Sequence, residues 1–90
     1  MKLDLNKPFI TLIGEEKQML GNILAEVLVV KTPGIAPIKA LDWALELHKG
    51  NSIEIDKSDL NKLSKVVESN ENLTNIAKAQ LLKEMASISD

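Results

Sequence analysis

Apolar side chains recur along this chain at three- and four-residue steps in four stretches, and alternate with polar ones in shorter stretches between them. Met19, Leu20, Ile23, Leu24, Val27 and Leu28 form one stripe and predict a helix over residues 16–30. Gly21 inside it costs about 1 kcal/mol relative to alanine, and a close approach of another element is the usual reason such a glycine is accommodated. Residues 35–49 predict a second helix, with Pro37 in its first turn and Gly50 as its stop. Lys39, Asp42, Glu46 and Lys49 share one narrow stripe of it, while apolar residues spread round most of the rest. A helix apolar over so wide an arc needs covering on more than one side, which marks it as the hub of the fold. Asp56 or Ser58 can cap a third helix over 57–69, with Leu60, Leu63, Val66 and Val67 as its buried stripe. The last, over 73–87 and capped by Asn72, carries Leu73, Ala77, Leu81, Met85 and Ile88 on one face.

Three short segments read as strands. LDLN (3–6) alternates, FITLI (9–13) is rich in β-branched and aromatic residues, and SIEID (52–56) alternates cleanly. The expected partner of 52–56 is FITLI, with Lys7-Pro8 as a break or edge position. Short connections favour antiparallel helix neighbours, so the last two helices are expected to form a hairpin against the hub. The predicted fold is a single domain over 1–90, α+β but mainly helical. It has about four helices and a small sheet from the N-terminal strands and residues 52–56.

Composition narrows the function. Ninety residues with 44% apolar content support one modest core. The 11 basic residues are all lysine and the 13 acidic ones leave a net charge of −2. No arginine fork exists to read phosphate or guanine, and no basic field draws in a polyanion. Phe9 and Trp43 are the only aromatics, too few for a base-stacking platform. Cysteine is absent, which excludes disulfides and thiolate metal sites and fits an intracellular location. No run is long enough to span a bilayer, and the start lacks the features of a secretory leader.

Candidate chemistry is sparse. His48 is the only histidine and lacks partners for nucleophilic catalysis or metal binding; near a helix C-terminus its cation suits the dipole. Asp42 and Glu46, one turn apart between Lys39 and Lys49, read as an alternating solvated stripe, and Glu15-Glu16 as helix-start charges. No catalytic residue, cofactor or metal is expected. A helix-turn-helix reader of DNA built from residues 57–87 is the alternative, with Thr74, Asn75, Lys78, Gln80 and Lys83 facing outward. The balanced charge stands against it.

Trp43 lies with Ala36, Ala40 and Leu47, beside the strip formed by Ile38, Leu41 and Leu45. It either fills a second core layer or, with Val27, Val29 and Val30, meets another subunit. The candidate interaction surface is therefore Val27, Val29, Val30, Ala36, Ala40, Trp43 and Leu47, and the expected partner is protein, a second copy of this chain or another chain. Neither nucleic acid nor membrane is an expected partner.

The order of segments resembles a group of small proteins encoded in tailed-phage and prophage genomes. The likeness is carried by LIG (12–14), LGNILAEVL (20–28), KALDWALELHKGNSIEIDKSDLNKL (39–63) and NLTNIAKAQLLKEM (72–85). The resemblance implies a setting in a bacterial cytoplasm or a virion and a partner-binding role, with another phage or host protein as a partner beside a second copy, and it transfers no site residues. Members of the group often carry a longer hairpin before the first helix; here Gly14 passes almost directly into EEKQ.

Overall fold

Among the described residues six elements follow one another in chain order: β1 (Lys2–Leu3), α1 (Leu20–Val30), α2 (Pro37–His48), β2 (Ile53–Glu54), α3 (Lys57–Ser69) and α4 (Asn75–Ser87). The structure, a computed structural model, describes residues 1–14 and 18–88. It is the predicted α+β architecture, four helices with a two-stranded antiparallel sheet.

Helix α1 is the true centre. It buries Leu20, Gly21, Ile23, Leu24, Ala25, Val27 and Leu28, and it packs against both α2 and α4. The sequence reading gave that place to α2, because α2 is apolar on two sides. Only one of those sides goes inward. Gly21 explains how α2 comes so close: a Cβ there would lie 3.1 Å from the Leu47 carbonyl oxygen and 3.3 Å from that of Leu5. Gly21 is near the start of α1 and Leu47 near the end of α2, so the two helices run antiparallel. Ala40 and Ala44 are buried on the inward side of α2, where small side chains let helix backbones approach.

The start of α1 is set by the N-terminal segment. Leu20 N–H donates to the Lys7 carbonyl and Gly21 N–H to the Leu5 carbonyl, both at 2.8 Å, which satisfies donors that no helical carbonyl can reach. Met19 is therefore extended and bridged to Pro8, the Gln18 carbonyl accepts from Phe9 N–H, and the predicted helical start moves on to Leu20. The expected role of Glu15 and Glu16 lies outside the described residues.

The sheet differs from expectation. Lys2 pairs with Glu54 and Leu3 with Ile53, so it is the first segment, not FITLI, that partners 52–56. The physical reason is competition for backbone groups. Phe9 N–H is taken by the Gln18 carbonyl, and both polar groups of Ile10 are taken by one side chain of α4. Gln80 Nε2 donates to the Ile10 carbonyl at 2.6 Å, and Ile10 N–H donates to Gln80 Oε1 at 3.0 Å. Residues 11–14 then turn, closed by Gly14 N–H donating to the Thr11 carbonyl.

Both closing helices obey their caps. Asp56 caps α3 in a reciprocal box: its carboxylate accepts from Asp59 N–H at 2.7 Å, and its own N–H donates to Asp59 Oδ2 at 3.2 Å. The cap of α4 is Thr74 rather than Asn72. Asn70 instead organises the turn, its side-chain oxygen accepting from the N–H groups of Asn72 and Leu73. Leu60, Leu63, Val66, Val67, Ala77, Leu81 and Met85 are all buried, as the periodicity predicts.

Candidate interaction surface

Helix α2 has two apolar sides with opposite fates. Trp43 is only 7% exposed and lies in the core with Ala40, Ala44 and Leu47. Leu41 and Leu45 are half exposed and Ile38 is 77% exposed. On α1 the tail divides the same way: Val27 and Leu28 are inside, whereas Val29 and Val30 are 59% and 79% exposed. Of the seven residues read from the sequence as an interaction surface, Val29, Val30 and Ala36 are thus exposed. Val27, Ala40, Trp43 and Leu47 belong to the interior of this chain. The exposed apolar strip is instead Ile38, Leu41 and Leu45, which sequence reasoning set beside the tryptophan without assigning it to a surface. The alanines on the tryptophan side were the available signal, since small residues mark where a neighbouring helix sits.

Across the α1–α2 groove the exposed residues are continuous. Val29 lines one end with Leu41, Pro37 and Ala40, and the other with Leu45, Ala44 and His48. Gln18, Asn22 and Glu26 form its polar margin. His48 is the last helical residue of α2, exposed, in a position that suits its cation. Asp42 is exposed and its carboxylate makes no hydrogen bond or ion pair among the described residues; Lys49 Nζ makes a loose 3.9 Å contact with Glu46. A second apolar patch lies on the turn after Phe9, where Leu12 and Ile13 are almost fully exposed.

The inward side of α2 is held by a short polar relay. Lys39 Nζ donates to Asp59 Oδ1 at 2.8 Å and sits 5.1 Å from the centre of the Trp43 ring. The same Asp59 closes the α3 cap, so one buried carboxylate ties α3 to α2. The hydrogen bond from Lys39 holds this carboxyl below its ordinary value of 3.8, against the opposing effect of burial; the Asp56 N–H and the charges of Lys39 and Lys62 add to the lowering. A carboxyl lowered on folding contributes stability above its unfolded value and loses it as the pH falls through the folded one. Urea unfolding followed from neutral pH downward should therefore show stability declining below the ordinary carboxylate value. Asp59→Asn should flatten that decline; an unchanged acid limb would remove Asp59 from the linkage.

The outward residues of the DNA-reading alternative are mostly engaged within the chain. Thr74 caps α4, Lys78 Nζ donates to the Glu68 carbonyl at 2.9 Å, and Gln80 holds Ile10. Asn75 and Lys83 are exposed. Among the described residues no group of three or more histidine, aspartate or glutamate side chains is arranged to hold a metal ion, and no helix is long and apolar enough to cross a membrane. No family model, curated protein or solved structure matches this chain.

Proposed function

We propose that this chain is a non-enzymatic protein–protein interaction module that self-associates through the exposed face of α1 and α2, serving as a phage or prophage accessory or adaptor. The observation that carries the reading is the surplus of aliphatic surface on that face. Val29, Val30, Ile38, Leu41 and Leu45 together leave about three whole side chains in water, and covering them gains roughly 5–9 kcal/mol per copy. A pair of copies gains twice that, against an association cost of about 4–15 kcal/mol. The mid-range values leave about −4 to −5 kcal/mol, a dimer with a sub-millimolar dissociation constant. Monomers that expose a contiguous patch of this kind ordinarily use it for contact.

Light scattering from about 10 µM to 2 mM tests this, because a sub-millimolar constant falls inside that range. The mass should rise from one chain to two. Leu41→Ser with Leu45→Ser should hold it at one chain while the circular dichroism spectrum stays unchanged, since both side chains are half in water already. A chain that remains monomeric at the highest concentration would overturn the proposal.

A further inference from the structure

We infer that two copies meet along α2 as an antiparallel seam of Ile38, Leu41, Leu45 and His48, edged by Asp42 and Lys49; the inference rests on the self-association reading above. The seam residues are spaced three, four and three apart, the spacing of a helix–helix contact stripe. All four are exposed, and they run the whole length of the helix from its second residue to its last.

Direction follows from charge and geometry. Asp42 and Lys49 each come one step after a seam position, so they lie along the same edge of it. Pro37 and Ala44 occupy the opposite edge, and Ala44 is buried against α1. In a parallel pair each charged edge would face the partner's Pro37–Ala44 edge, and neither charge would find a counterpart. In an antiparallel pair like edges meet. Placing Leu41 opposite the second copy's Leu45, and Ile38 opposite its His48, sets Asp42 and the second copy's Lys49 about 7.5 Å apart along the axis. Helical side chains lean toward their own N-terminus, so in this register the two lean toward each other. The aspartate without a partner and the loosely held lysine then complete two ion pairs across the two-fold axis. Opposed helix dipoles favour the same direction.

The arrangement also uses Val29. It borders both Leu41 and Leu45, level with the middle of the seam. An antiparallel two-fold pair places both α1 helices on the same side of the seam. Val29 then comes beside the axis, and the dimer is a four-helix layer with an apolar centre.

The chain has no cysteine, so introduced ones report contacts cleanly. Leu41→Cys and a size-tagged Leu45→Cys are purified separately, then oxidised alone and as a mixture, with light scattering on each. Cross-linking mainly in the mixture, between the two different sites, is the result expected, because a disulfide needs Cα atoms within about 7 Å. Dominant same-site cross-links in the separate samples would overturn the antiparallel seam while leaving self-association standing. A dimer by scattering with no cross-link in any sample would place the contact on another face and also overturn the seam. Absence of a dimer in the unsubstituted chain would instead overturn the reading beneath it.

Discussion

Trp43→Ala is expected to lower the unfolding free energy by about 3–5 kcal/mol, the range for emptying a buried large aromatic site. The indole is the largest side chain on the inward side of α2, and it is packed in the core beside α1. Its removal leaves a hole that Ala40 and Ala44 are too small to fill. It also takes the ring from beneath Lys39, loosening the contact between Lys39 and Asp59 that joins α2 to α3. A chain of this length has roughly 5–13 kcal/mol of stability in total. Its thermal midpoint should therefore drop by about 15–30 °C when followed by circular dichroism. A shift under about 5 °C would mean the ring is not part of the interior. Leu41→Ala on the other side of the same helix should cost the monomer little.

Gly21→Val should be comparably damaging for the opposite reason. Here the fault is excess volume. The first carbon of any side chain would already press on two backbone carbonyls, those of Leu47 and Leu5, and neither can swing aside as a flexible side chain would. Valine adds two methyl groups to that collision, and overpacking of a close-fitted site costs about 1–3 kcal/mol or more. The better helical propensity of valine over glycine returns only a few tenths. Separation of α2 from α1 also strains the bonds from Leu5 and Lys7 that start α1. Urea unfolding should place Gly21→Val at least about 2 kcal/mol below the parent, with Gly21→Ala between them. Equal stability of all three would show that α2 does not approach at this point.

The periodic parts of the fold were open to reading in advance. Residues 57–69 are helical throughout as predicted, because one stripe of apolar residues and an aspartate cap leave no competing arrangement. The glycine in α1 likewise announced a close neighbour. FITLI misled because β-propensity describes what suits a sheet, whereas sheet membership depends on which backbone groups remain free. Pro8 lacks its N–H, and the amide of Gln80 arrives from seventy residues away. No local pattern carries that information. The two sides of α2 posed a similar difficulty. Each is apolar enough to be buried, and the choice between them was settled by side-chain size at the α1 contact. Ala40 and Ala44 fit beneath α1, whereas Leu41 and Leu45 are left outside. The part of the candidate surface on α1, Val29 and Val30, could be read from its place at the end of a stripe.

The fastening of Ile10 by a single amide has a practical consequence. A ladder would tie residues 9–13 to the register of the sheet, whereas the clasp ties Ile10 to α4 instead. Extra sequence grafted between Leu12 and Gly14 would disturb neither the pairing of Leu3 with Ile53 nor the start of α1. That turn is accordingly the natural port for a tag, an epitope or a longer arm.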